Sequence, residues 1–162
     1  MSVEKLLDSL EKLIVLHRSL NKIAADKTKV IIDGNAETLQ TILKDENKHI
    51  QGIQRLNNDV LKMAKVFLES KNSIIEVPTV SAVIDYVNEE DKITLKNFQK
   101  ELQGQIDILS KQNKLNQELL DQSLHFINLS LDLLTPDMES INYNPASQNE
   151  QKEAFSIFDS KA

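Results

Sequence analysis

Apolar side chains near the start of the chain recur at alternating steps of three and four residues. This spacing places them on one face of a helix, in the heptad pattern of helices that pack side by side. The positions are Val3, Leu6, Leu10, Leu13, His17, Leu20, Ala24, Lys27 and Ile31. Further apolar residues widen the stripe on both flanks, which is typical of a helix covered by more than one neighbour. We therefore predict a helix over residues 2–32.

The segment Asp33-Gly34-Asn35 predicts a chain reversal after this helix. Glycine adopts the positive φ that ends many helices, and the Asn35 side chain can accept a hydrogen bond from a free amide of the next helix. A second apolar stripe then predicts a helix over residues 36–70. Its positions are Leu39, Ile42, Leu43, Ile50, Ile53, Leu56, Val60, Met63, Ala64, Phe67 and Leu68. At 1.5 Å per residue each helix is about 45 to 50 Å long, so we expect an elongated antiparallel hairpin.

A connector with β-branched residues and Pro78 follows the hairpin, and this composition predicts an extended segment. Thr79 or Ser81 is suited to cap a short helix that ends near Val87.

The last long helix is predicted to begin after Asn88. The Asn88 side chain can accept from an amide of the first turn, and the three carboxylates that follow it stabilise the positive end of the helix dipole. Thr135-Pro136 ends the helix. We expect its core stripe to be the face that the hairpin covers. The stripe contains Leu95, Phe98, Leu102, Ile106, Leu109, Asn113, Asn116, Leu120, Leu124, Ile127, Leu131 and Leu134.

Composition supports one all-α domain. The 162 residues contain three glycines and three prolines, too few for the tight turns of a sandwich or a barrel. We expect a helical domain over residues 1–135, with three long helices and a short one, and a flexible acidic and polar tail over residues 136–162. Near the end of this tail, Phe155, Ile157 and Phe158 form a small apolar cluster that we regard as an accessory binding element.

Cysteine content and charge narrow the location and the partners. The chain has no cysteine and no run of 18 apolar residues, so we expect a cytoplasmic protein with no membrane insertion. The net charge is −6, and residues 72–162 hold 15 acidic and 7 basic side chains. Between Leu115 and Gln151 there are six acidic residues and no Lys or Arg, which disfavours nucleic acid as a partner.

No enzyme motif is present. The sequence lacks Gly-rich phosphate loops and the Gly-x-Ser-x-Gly pattern, and its three histidines do not form metal-binding pairs. The adjacent carboxylates of Asp45 and Glu46 could be considered for acid/base catalysis, but we expect them on a solvated face of the helix. We therefore predict no catalytic residue, no metal and no cofactor. One enzymatic alternative is a histidine phosphotransfer module with His49 as phosphoacceptor and Gly52 beside it, although the glycine lies three residues on instead of the usual four.

The last helix carries a second apolar line beside its core stripe. It consists of Leu115, Leu119, Phe126, Leu129 and Leu133, with the small residues Ser123 and Ser130 next to it. The hairpin can cover one face of this helix, so the other must meet the short helix, a second copy of the chain or a helix of a partner. Complete burial within the monomer is the alternative. Our predicted binding residues are Leu115, Leu119, Ser123, Phe126, Leu129 and Leu133.

The run Asn-Gln-Glu-Leu-Leu-Asp-Gln-Ser-Leu-His-Phe-Ile from Asn116 to Ile127 resembles the FlgN family of flagellar export chaperones. The resemblance extends to the closing Leu133-Leu134-Thr135-Pro136 and to Tyr143 in the polar tail, and it covers almost the whole chain. The tail differs in having Asn144-Pro145 where such chains usually have glycine after the tyrosine.

This resemblance implies a cytoplasmic, non-enzymatic chaperone of type III flagellar secretion. Similar proteins bind the hook-filament junction proteins FlgK and FlgL before export and present them to the export apparatus. The structural alternative is a coiled-coil adaptor that uses the same apolar line to form a homodimer.

Overall fold

The computed structural model describes residues 3–73 and 75–134, and all regular secondary structure in this part of the chain is helical. The helices are α1 (Val3–Asp33), α2 (Ala36–Ser70), α3 (Val80–Ile84) and α4 (Glu89–Leu134). The predicted all-α fold with three long helices and a short one is confirmed. The predicted tail, residues 136–162, lies outside the described residues, so the division of the chain at residue 135 stays a prediction.

Local hydrogen bonds form the predicted helix ends. Gly34 has φ +70° at the turn between α1 and α2, and the Asn35 side chain accepts from the Thr38 amide at 3.0 Å. The Thr79 hydroxyl accepts from the Ala82 amide at 3.1 Å, which identifies Thr79 as the cap of α3. Asn88 accepts from the Asp91 amide at 2.8 Å at the start of α4.

Helix α1 lies between α2 and α4 and packs against both. Contacts of Ser9 with Met63 and of Lys27 with Glu46 show that α2 runs antiparallel to α1. Helix α4 runs parallel to α1. The Asn21 side chain donates to the Gln105 carbonyl, and further along both helices the Ala24 carbonyl accepts from the Asn116 side chain. Helix α3 packs against α2 and α4.

The main apolar core lies at the end of the bundle opposite the Gly34 turn. It contains Leu6, Leu10, Val60, Ala64, Phe67, Leu68, Val83, Ile84 and Leu95, from all four helices. A smaller cluster of Leu20, Ala24 and Leu109 lies nearer the turn. The predicted stripe of α1 is buried from Leu6 to Ile31, which confirms the heptad prediction.

The core stripe predicted for α4 is only partly correct. Helix α4 has 46 residues and α1 has 31. With Asn116 beside Ala24 and Thr28, the end of α1 at Asp33 lies next to about residue 120 of α4, and the last turns of α4 project about 20 Å past the Gly34 turn. The prediction that the remaining stripe residues face the hairpin is therefore wrong: Ile127, Leu131 and Leu134 are 51, 53 and 78% exposed. Ile106, also predicted in the core, is 37% exposed.

The solvated face predicted for Asp45 and Glu46 holds for the first residue only. Asp45 is exposed, whereas Glu46 is 2% exposed and forms an ion pair with Lys27 of α1. The correction follows from helix geometry, because Glu46 occupies the position between Ile42 and Ile50 on the face of α2 that contacts α1.

Candidate functional site

The carboxyl-terminal part of α4, from Leu115 to its projecting end, presents the predicted second apolar line to solvent. Phe126 is 71% exposed and Leu133 is 83% exposed; Leu115, Ser123 and Leu129 are exposed, and Leu119 is half-buried. We call this set the distal surface: Leu115, Leu119, Ser123, Phe126, Leu129 and Leu133. Helix geometry places all six on one side of α4, so the structure brings the predicted binding residues together.

Neither the short helix α3 nor the hairpin of α1 and α2 buries the distal surface. Helix α3 joins the apolar core beside Leu95, far from the projecting end of α4. The hairpin covers α4 only as far as the Gly34 turn. Complete burial of the second line is thus contradicted for Leu115, Phe126, Leu129 and Leu133, because each is exposed by 44% or more.

Two serines on this side of α4 have their hydroxyl groups satisfied by the helix itself. The Ser123 hydroxyl donates to the Leu119 carbonyl at 2.9 Å, and the Ser130 hydroxyl donates to the Phe126 carbonyl at 2.9 Å. A hydroxyl bonded in this way does not require a partner group, and its small side chain allows a neighbouring helix to approach closely. The serines therefore fit within an apolar contact instead of interrupting it.

Part of the exposed apolar surface was not predicted from the sequence. Ile127, Leu131 and Leu134 extend it beyond the distal surface, so that apolar side chains occupy about two-thirds of the circumference of α4 beyond residue 120. The signal that could have revealed them is helix length, since the predicted α4 is longer than either arm of the hairpin. Periodicity shows which face of a helix is apolar, but not where the neighbouring helix ends.

The carboxyl-terminal part of α4 carries negative charge. The segment from Leu115 to Leu134 contains Glu118, Asp121 and Asp132. It contains no Lys or Arg. The Asp121 carboxylate accepts from the Gln117 side chain at 3.2 Å, one turn earlier on the polar side. A partner with an apolar face and basic flanks complements this arrangement.

The three histidines lie in different environments. His17 is buried in the α1 stripe, and burial lowers its pKa from 6.5. His125 is exposed on α4. His49 Nδ1 donates to the Asp45 carbonyl at 2.8 Å, so that in the neutral ring Nε2 accepts from the Ser19 hydroxyl, also at 2.8 Å. Because both ring nitrogens of His49 are engaged, the geometry disfavours a phosphoacceptor role.

Two features are absent from residues 3–73 and 75–134, the part of the chain that the structure describes. No cluster of three or more His, Asp or Glu side chains suited to a metal ion occurs there. None of the helices in this part of the chain combines the length and apolar character needed to span a membrane.

The chain matches a known protein family over most of its length. The family model described as "FlgN protein" matches residues 1–151. The chain belongs to the FlgN family. The resemblance predicted from the sequence is thereby confirmed, and membership supports a role as a flagellar export chaperone, in a family of chaperones and not of enzymes.

A relative of this FlgN-family protein matches over its full length. The two chains are 32% identical over 165 residues, which cover 100% of each, and the relative is described as "Uncharacterized protein YvyG" of Bacillus subtilis (strain 168). No solved structure matches the chain.

Proposed function

We propose that this FlgN-family protein binds the amphipathic terminal helices of the hook-filament junction proteins FlgK and FlgL in the cytoplasm. It prevents their premature assembly and delivers them to the type III export apparatus. The observation that carries the proposal is the distal surface, a largely exposed and mostly apolar set of side chains on the carboxyl-terminal part of α4, in a chain that belongs to a family of flagellar chaperones.

The size of the exposed surface is sufficient for a reversible complex. Burial of one Leu or Phe side chain contributes about 1.5 to 3 kcal/mol. The eight apolar residues of this part of α4, the five of the distal surface together with Ile127, Leu131 and Leu134, contribute about 12 to 24 kcal/mol, which after an association cost of about 4 to 15 kcal/mol is compatible with a dissociation constant of about 1 μM. This affinity suits a chaperone, because the client must leave during export.

The width of the apolar arc favours a client that supplies more than one helix. Within the bundle, α1 is buried on a broad face because α2 lies on one side of it and α4 on the other. The projecting end of α4 has an apolar arc of similar breadth and lies beyond the hairpin. In the proposed complex, helices of the junction protein pack on both sides of this end and continue the bundle.

The test compares two aspartate substitutions on α4. Phe126→Asp places a charge in the distal surface, and Ile93→Asp places one at a 60% exposed apolar position near the other end of the same helix. We expect Phe126→Asp to abolish binding of purified FlgK and FlgL in calorimetric titrations, and Ile93→Asp to retain wild-type affinity. Circular dichroism should show unchanged helicity for both. Unchanged affinity of Phe126→Asp would refute the proposed surface.

Sedimentation velocity separates client binding from self-association through the same surface. A monomer that forms a complex with FlgK supports the proposal. A homodimer that is lost in Phe126→Asp and persists when FlgK is added would instead identify the chain as a self-associating adaptor.

A further inference from the structure

The described part of the chain ends at the distal surface itself. Leu134, the last residue of α4, is 78% exposed and directly follows Leu133 of that surface. Residues 135–162 continue from this point, so every group in them is tethered to the end of α4. The first occupant available to the distal surface is therefore a segment of the same chain.

One segment of residues 135–162 matches the distal surface in chemistry. After Lys114 the chain has Lys or Arg at two positions only, Lys152 and Lys161. These two lysines lie on either side of the apolar cluster of Phe155, Ile157 and Phe158, together with the acidic residues Glu153 and Asp159. The helix that carries the distal surface has three carboxylates and no basic residue between Leu115 and Leu134. The match is therefore chiefly apolar: three large apolar side chains within four positions suit an apolar surface, and the two lysines are the basic groups of this segment that can approach its carboxylates.

The connection is long enough for this contact. The twenty residues 135–154 separate the end of α4 from Phe155 and span up to about 66 Å when extended. The distal surface from Leu115 to Leu133 is about 27 Å long. A tethered segment meets its site at an effective concentration in the millimolar range, so even a weak intrinsic affinity occupies the site substantially.

From these observations we infer that residues 150–162 occupy the distal surface when no client is bound. The inference rests on the proposed function, since it assigns an internal competitor to the client site. A client binds only to the fraction of molecules whose surface is open, and its apparent dissociation constant increases by the inverse of that fraction. If nine molecules in ten are closed, removal of the segment's anchors increases client affinity about tenfold.

The contact is tested by paramagnetic relaxation in the full-length chain. Because the protein has no cysteine, Ser160→Cys accepts a single nitroxide label. We expect the label to attenuate the NMR signals of Phe126 and Leu133 but not those of Ile93. Attenuation should disappear in Phe155→Ser/Phe158→Ser, and a matched polar change, Gln148→Ser/Gln151→Ser, should preserve it.

Two results of this experiment would overturn the inference. One is equal signal intensity at Phe126 with the nitroxide oxidised and reduced. The other is attenuation only between chains, seen when nitroxide-labelled protein is mixed with isotope-labelled protein, which would assign the surface to a second copy.

Titration with FlgK distinguishes failure of this inference from failure of the proposed function. Phe155→Ser/Phe158→Ser should bind FlgK about three- to tenfold more tightly than the wild type. If Phe155→Ser/Phe158→Ser binds FlgK with the wild-type affinity and the nitroxide does not attenuate the NMR signals of α4, the internal competitor is refuted and the chaperone function stands. If neither FlgK nor FlgL binds while the nitroxide contact is present, the contact stands and the proposed clients are wrong.

Discussion

Lys27 of α1 donates to both carboxylate oxygens of Glu46 of α2, at 3.0 and 3.4 Å. The two side chains are only 5 and 3% exposed. A buried ion pair contributes little net stability, because desolvation offsets the attraction between the charges, but removal of one partner leaves a buried charge without its counter-ion. The pair thus constrains how α1 and α2 align.

The first prediction concerns this pair. Glu46→Leu should lower the free energy of unfolding by about 3 to 5 kcal/mol, because it leaves the Lys27 ammonium buried beside an apolar group. Lys27→Met/Glu46→Leu should recover most of that loss, since both charges are replaced by apolar side chains. Urea denaturation of the single and double variants measures the difference.

The exposed pair of Asp45 and Lys48 on the same helix provides a control. Asp45→Asn should cost less than about 1 kcal/mol, because water screens both groups. A double variant as unstable as Glu46→Leu alone would contradict the assignment of the effect to loss of the Lys27–Glu46 pair.

The second prediction concerns the pH dependence of stability. Burial lowers the pKa of His17 from 6.5, and its Nδ1 has no hydrogen-bond partner within the described residues. Below pH 6.5 the unfolded chain therefore binds a proton at His17 that the folded chain does not bind, and stability falls as pH falls. The melting temperature should decrease from pH 7.5 to pH 5.5. This decrease should be smaller in His17→Leu and unchanged in His125→Gln, which alters an exposed histidine; equal slopes in all three proteins would contradict the prediction.

The third prediction tests the projection of α4 beyond the hairpin. Leu109 is buried in the small cluster with Leu20 and Ala24, whereas Ile127 is half exposed beyond the Gly34 turn. Leu109→Ala should destabilise the protein by about 2 to 5 kcal/mol, and Ile127→Ala by less than about 1 kcal/mol. Thermal or urea unfolding gives both values. Similar losses would show that the end of α4 is packed into the bundle.

The fourth prediction compares two helical glycines. A Cβ at Gly104 would meet no atom within 4 Å, so Gly104→Ala should stabilise α4 by about 0.5 to 1 kcal/mol through helix propensity. A Cβ at Gly52 would lie 3.3 Å from Cδ1 of Leu16, so crowding should offset part of the same gain. Melting temperatures rank the variants, and an equal or larger gain from Gly52→Ala would contradict the close approach of α1 and α2 at this point.

Local and periodic features of the fold could be predicted from the sequence. The steps of three and four residues correctly placed even His17 and Lys27 on the buried face of α1, because helix geometry fixes the face of each position regardless of side-chain type. The caps at Asn35 and Thr79 were also predictable, since each depends on hydrogen bonds within a few residues.

Features that depend on the alignment of separate helices could not be predicted in this way. Glu46 fits the apolar period of α2, but its burial depends on Lys27 lying opposite, nineteen residues away in sequence. The exposure of Ile127 depends on where α1 ends beside α4, which no pattern within α4 records. The predicted residues of the distal surface do share one exposed side, and their role in client binding stays a prediction.

The projection of α4 past the Gly34 turn separates two demands on this sequence. Folding is secured by residues buried between the helices, up to about residue 120, whereas the overhanging turns add little to the free energy of the native state. Substitutions in these turns therefore have little effect on the stability of the fold. Selection can change the surface of this end of α4 without destabilising the rest of the bundle.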